Sequence, residues 1–162
     1  MSDRDKILSD IEHFMIDVME EQKQLDTAIY IDSHPKNIFK KKDYQSRIDK
    51  FKELKNMALK IDTSDYELDP DDDDLIELIA VFDETLALYN LYCDKGIEGQ
   101  DMLRKRAKKE EQIVKSEYIE TAKKQKSIGE KLTRSYNDLG IAYTEYKDLV
   151  NIEEDIFEEA EE

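Results

Sequence analysis

Residues 75–93 read LIELIAVFDETLALYNLYC, and this stretch decides the fold. Apolar side chains stand at most helical positions, and the polar stripe is narrow, consisting mainly of Glu77, Glu84 and Asn90 with Asp83. A helix that is apolar around most of its surface needs burial on more than one side. The acids within the stretch argue against a membrane span. The stretch therefore predicts a helix of a soluble protein that other helices must cover.

The flanking residues predict where this helix begins and ends. Asp69 is a good N-cap, Pro70 suits the first helical position, and Asp72 stands three residues after the cap. Gly96 is a natural stop, because glycine readily adopts the left-handed conformation that ends many helices. We therefore expect the third helix over about 70–95, after an acidic loop at 62–69.

Three more helices follow from the spacing of apolar residues, over about 2–31, 37–61 and 100–150, with an acidic tail at 151–162. The last one carries a heptad seam with steps of four and three residues. Its members are Leu132, Tyr136, Leu139, Tyr143, Tyr146 and Val150. Gly129 and Gly140 interrupt its helix propensity and predict either a bend or a close helix crossing. The expected fold class is all-α: one elongated, antiparallel, coiled-coil-like arrangement of four helices, the last very long.

The composition agrees with a single helical unit of 162 residues. Only 4 glycines and 2 prolines are present, which disfavours an all-β fold with its many tight turns. The one cysteine, Cys93, allows no internal disulfide, and its apolar surroundings predict a buried structural thiol. The N-terminus lacks the hydrophobic core of a signal peptide, so we expect a cytoplasmic protein.

The charges come in five alternating blocks. Residues 1–35 carry 9 acids and 3 bases, residues 36–61 carry 3 acids and 9 bases, and residues 62–94 carry 12 acids and no base. Residues 95–134 then carry 7 acids and 12 bases, and residues 135–162 carry 10 acids and 1 base. Because exposed ion pairs contribute little stability, such segregation selects which helices lie side by side rather than stabilising them.

A turn at Gly96 would place acidic residues 71–77 beside basic residues 115–126. The same register would bring the acidic second half of the last helix beside the basic second helix, and the first helix would fold back through a turn at Pro35. The first two helices would then form a three-helix bundle with the second half of the last helix, and the third helix would pair with its first half. In this arrangement the third helix has one neighbour, although it is the most apolar of the four.

The cover of the third helix is therefore open to three interpretations: a second copy of the chain, a different protein, or compact packing within the chain. We expect a homodimer, with an apolar interface on this helix. The residues predicted for that interface are Leu75, Leu78, Ile79, Phe82, Leu86 and Tyr89.

The sequence offers little for catalysis or for metal and cofactor binding. The acidic run 69–74 lacks the glycine and the twelfth-position glutamate of a calcium-binding loop. His13 and His34 lack the partner spacing of di-iron bundles. Phosphate-binding, dinucleotide-binding, serine-hydrolase and zinc-protease motifs are missing from the sequence. We therefore expect a non-catalytic protein with no cofactor and no metal.

The net charge of −16 argues against nucleic acid as the main partner and favours a basic protein. We expect no membrane partner, because the most apolar stretch carries too many acids to span a bilayer. The leading hypothesis is an acidic inhibitor, similar to an antitoxin, that binds a basic nucleic-acid-handling protein. Its predicted acidic interface consists of Asp65, Glu67, Asp71, Asp72, Asp73 and Asp74. Two alternatives stay open: a homo-oligomeric coiled-coil scaffold or secretion-type chaperone, and a nucleic-acid binder that uses the basic stretch 104–126.

Overall fold

The computed structural model describes residues 2–37, 39–110 and 112–161 and confirms the all-α class, with 84% helix and no strand in these residues. The N-terminal helix comprises α1 (Arg4–His13), a π-helical segment (Phe14–Met19) and α2 (Glu20–Asp32). Then come α3 (Tyr44–Leu59), α4 (Asp73–Ala107) and α5 (Lys115–Glu161). Short 3₁₀ turns at Pro35–Asn37 and Thr63–Asp65 lie in the connections before α3 and α4.

Helix α4 lies at the centre of the fold, packed against α5, α3 and the N-terminal helix. Phe82 and Tyr89 both meet the ring of Phe14 edge-on, with ring centroids 5.8 and 5.6 Å apart. Cys93 is fully buried, as its apolar surroundings predict. The broad apolar surface that decides the fold is thus covered from several sides by the chain itself.

The predicted apolar partner interface assumed that this helix has only one neighbour within the chain. That assumption is wrong, because α5, α3 and the N-terminal helix all pack against α4. All six of its residues are buried in the core of the single chain. They are Leu75, Leu78, Ile79, Phe82, Leu86 and Tyr89. Of the three interpretations, compact packing within the chain is the one that the structure has.

The predicted turn at Gly96 is also wrong, because α4 continues through this residue to Ala107. Gly96 is buried beneath the ring of Phe51, and a Cβ added there would lie 2.5 Å from Phe51 Cζ. The glycine therefore permits a close helix crossing instead of ending a helix. The chain reverses after Ala107, and Lys109 there has a positive φ of 56°.

The later turn changes the register between α4 and α5. The hydroxyls of Thr85 and Ser135 lie 2.7 Å apart, and the Tyr146 hydroxyl donates to Asp72 at 2.7 Å. The predicted register, with acidic residues 71–77 beside basic residues 115–126, is therefore wrong. Helix α5 itself runs without interruption through Gly129 and Gly140. A Cβ added at Gly129 would lie 3.1 Å from the ring of Tyr92.

Other neighbour relations predicted from charge are confirmed. The N-terminal helix lies beside α3, where Lys50 binds Glu21 at 2.9 Å and Arg47 binds Asp32 at 2.7 Å. It also lies beside the second half of α5, where Lys147 is 3.3 Å from Glu12. The basic α3 packs mainly against α4 and the N-terminal helix, however, and not along the acidic half of α5 as predicted.

Candidate functional site

The acidic end of the bundle is built around the start of α4, and Asp72 organises it. The Asp72 carboxylate accepts a hydrogen bond from the Leu75 amide at 3.1 Å, so Asp72 and not Asp69 is the N-cap. Its other oxygen accepts from the Tyr146 hydroxyl of α5. Burial, and then this bond to Asp72, raise the pKa of Tyr146. Asp72 therefore fixes the α4–α5 register.

The loop before α4 is fastened to the N-terminal helix. Tyr66 is buried, and its hydroxyl donates to Asp10 at 2.6 Å. Burial, and then that bond, raise the pKa of the Tyr66 phenol. The backbone amide of Asp3 donates to the carbonyl of Glu67, and the Glu67 amide donates to the Asp3 carboxylate, both at 2.8 Å. These bonds hold the acidic loop in one position relative to the helices.

Five of the six predicted acidic residues point their side chains to solvent at this end. They are Asp65, Glu67, Asp71, Asp73 and Asp74, and all five are exposed. Within the described part of the chain, none of these five carboxylates takes part in an ion pair. Their charge is therefore available to a partner, whereas Asp72, the sixth predicted residue, is committed to the two internal bonds above.

Sequence reasoning missed the second component of this end, the C-terminal part of α5. Because Asp72 lies beside Tyr146, α5 runs on past the start of α4. We call residues 148–160 the α5 overhang, and every residue from 151 to 160 is exposed. The predicted boundary, with an acidic tail at 151–162 outside the last helix, is wrong, because α5 continues to Glu161. The overhang extends about 20 Å at 1.5 Å per residue.

The α5 overhang is amphipathic. Leu149, Ile152 and Ile156 are three and four residues apart and lie on one side, with Phe157 next to them and 72% exposed. The overhang also carries 6 acids and no base. The 3–4 spacing of its apolar residues is the sequence signal that could have found it. Apolar side chains bordered by carboxylates fit a groove that is apolar along its floor and basic at its rims.

The structure does not bring together the two predicted halves of the interface. The apolar half lies in the core, and the acidic half joins the α5 overhang instead. The basic stretch 104–126 spans the end of α4, the following turn and the start of α5.

Two further properties describe the part of the chain that the structure covers. No three His, Cys, Asp or Glu side chains gather there as a metal site would require. None of its helices combines the length and the apolar character needed to cross a membrane.

No protein-family model, curated protein or solved structure matches the chain significantly.

Proposed function

We propose that this chain is a non-catalytic interaction protein whose acidic end binds a basic protein, in the manner of an acidic inhibitor or antitoxin. The observation that carries the proposal is the α5 overhang, which presents Leu149, Ile152, Ile156 and Phe157 to solvent beside unpaired carboxylates. Exposed apolar clusters with polar borders mark interaction sites more often than scattered single residues do.

The charge of this end selects the class of partner. The exposed acids of the loop and those of the overhang lie at the same end of the bundle, because Asp72 and Tyr146 are joined there. A partner with lysine and arginine around an apolar groove is drawn in by charge and held by apolar burial. Proteins that handle nucleic acid carry such surfaces, since they bind phosphates.

The test uses the tagged wild-type chain and two matched variants. The variant I152S/I156S removes the apolar side of the overhang. The control I141S changes an isoleucine in the bundle portion of α5, and Ile141 and Ile156 are equally exposed, at 60% each. We expect the wild type and I141S to capture basic proteins from host lysate at low salt. We expect I152S/I156S to lose at least about 90% of that capture, because apolar burial supplies most of the affinity.

Salt dependence provides the second measurement. Capture should fall at least about tenfold between about 0.05 and 0.5 M salt, since screening shortens the reach of the carboxylates. Capture that does not change with salt, or that yields acidic and basic proteins alike, would exclude this function.

A second candidate is a homo-oligomeric scaffold joined through the α5 overhang, which the same exposed apolar residues favour. Two overhangs would bring 6 acids each into contact, so self-association should strengthen as salt rises. Light scattering separates the candidates: a mass near the 19.1 kDa of one chain at low and high salt excludes the scaffold.

A further inference from the structure

The end of the bundle opposite the acidic end is basic. It comprises residues 33–37 and 39–43 of the connection before α3, and residues 104–110 at the end of α4. We call these residues the basic end. They carry 9 bases and 2 acids, although the whole chain has a net charge of −16. A cleft of about 780 Å³ lies between the two segments, lined by lysines 40 to 42, Tyr44, Arg104 and Lys108.

The basic side chains at the basic end fall into two groups, and one of these groups has partners within the molecule. Arg104 binds Asp101 and Glu110, Lys40 binds Asp32, and Lys42 donates to backbone carbonyls. By contrast, a second group of bases makes no ion pair and no side-chain hydrogen bond with any described residue. That group consists of Lys36, Lys41, Arg106, Lys108 and Lys109. These charges are free to meet an anionic surface.

Exposed apolar side chains accompany these free bases. Phe39 is 98% exposed, although three lysines follow it directly in the sequence. Tyr30 and Ile31 near the end of α2, and Val114 in the turn before α5, are also exposed. A phenylalanine displayed almost completely to water gains free energy wherever it can leave water.

The acidic end does not cancel the attraction of the basic end for anions. The two lie at opposite ends of α4, which has 35 residues and is therefore about 52 Å long. The Debye length is about 10 Å at 0.1 M salt. An anionic surface that touches the basic end is therefore screened from the carboxylates of the acidic end.

We propose that the basic end docks onto membrane surfaces rich in anionic lipid headgroups, with the free lysines on the phosphates and Phe39 inserted among the headgroups. Lysine clusters near a bilayer surface bind anionic lipids in this way, and a second, apolar contribution makes such binding stable. No membrane-crossing helix is required. The expectation of no membrane partner rested on the lack of a spanning segment, which does not bear on surface docking.

The exposed apolar residues favour lipid over nucleic acid as the polyanion. Nucleobases stack on flat aromatic rings, so Phe39 and Tyr30 suit a nucleic acid as well as a lipid interface. Ile31 and Val114 are aliphatic and offer no ring for stacking, whereas a lipid interface accepts them. Docking through this end would also leave the α5 overhang directed away from the membrane and open to the partner proposed above.

The first test places a reporter at Phe39. The chain contains no tryptophan, so Phe39→Trp introduces a single one. With vesicles of phosphatidylcholine and about 30% phosphatidylserine, its emission should shift to shorter wavelength, and lipids brominated near the headgroup should quench it. Vesicles of phosphatidylcholine alone should leave the emission unchanged. Emission that does not respond to the phosphatidylserine vesicles would overturn the proposal.

The second test measures co-sedimentation with the same vesicles. K36Q/K41Q/K108Q should lower the partition coefficient at least about tenfold, because each base near an anionic surface contributes to binding. The control K52Q/K60Q/K126Q removes the same charge from exposed lysines elsewhere on the chain and should stay within about twofold of the wild type. Circular dichroism verifies that both variants are folded.

The remaining outcomes overturn the proposal. Equal losses in both triple variants would show that net charge, and not the basic end, controls binding. Tight binding of a single-stranded oligonucleotide through Lys36, Lys41 and Lys108, without vesicle binding, would assign this end to nucleic acid instead.

Discussion

Gly96 shows how one residue type can serve opposite purposes. Glycine after an apolar helical stretch predicts a helix end, because it tolerates positive φ. Here Gly96 stays helical and brings α4 against the ring of Phe51. Nothing in the local sequence separates the two uses, since the deciding contact comes from a residue 45 positions earlier in the chain.

The Gly96 contact gives the first prediction. Gly96→Ala should lower the free energy of unfolding by roughly 1–3 kcal/mol, because the new methyl group overlaps the Phe51 ring and overpacks the core. Gly140→Ala is the matched control on α5, where a Cβ would meet nothing within 4 Å. It should raise the free energy of unfolding by up to about 1 kcal/mol through helix propensity. Urea denaturation of both variants provides the measurement. Equal changes in the free energy of unfolding would contradict the close contact between Gly96 and the Phe51 ring.

Asp26 gives the second prediction. Burial raises the pKa of its carboxyl, although Tyr92 and Gln22 donate hydrogen bonds to it. A carboxyl with a raised pKa in the folded state contributes stability below its unfolded pKa and loses that contribution as the pH rises through the folded value. Asp26→Asn should therefore gain stability relative to the wild type as the pH rises from about 3.5 to 7. A difference in unfolding free energy that stays constant with pH would contradict this assignment.

At the scale of elements, pattern predicts the existence of helices better than their ends. The apolar stretch 75–93 and the heptad seam of α5 both lie in helices, as their spacing predicts. The predicted helix ends are wrong where several residues suit the same capping position. Asp69 and Asp72 are both suitable N-caps, and the bond to Tyr146 is what favours Asp72. The α5 overhang was missed because its acidic composition concealed a regular apolar spacing.

The turn between α4 and α5 provides the third prediction. Lys109 has a φ of 56°, a left-handed conformation that costs a side-chain-bearing residue free energy. Lys109→Gly should raise the free energy of unfolding by roughly 0.5–1 kcal/mol. Lys108→Gly is the control, since Lys108 has a φ of −87° and gains no relief. Thermal denaturation showing the same change for both variants would indicate that the chain does not reverse here.

For the whole molecule, charge patterning predicts neighbours in part. The pairs Lys50–Glu21 and Arg47–Asp32 join helices that the charge blocks set side by side. The α4–α5 register was mispredicted because it depends on where the turn lies, which charge does not specify. Once the turn moves beyond Ala107, the blocks collect at opposite ends and give the molecule one acidic and one basic end.

The overhang gives the fourth prediction, on the limits of the folded unit. Since residues 151–160 are exposed along their whole length, deleting residues 151–162 should leave the melting temperature of the bundle within about 2 °C of the wild type. The deletion should nonetheless abolish capture of basic proteins. A large loss of stability would show that the overhang packs against its own chain.

The claim on which the rest depends is that α4 is covered by its own chain, which leaves the two charged ends for binding. Hydrogen exchange of residues 75–93, followed through a dilution series, tests it most directly. We expect these amides to keep the same strong protection at every concentration, while residues 151–160 exchange quickly. Protection of residues 75–93 that falls on dilution would show that a second subunit covers α4, and would contradict the claim.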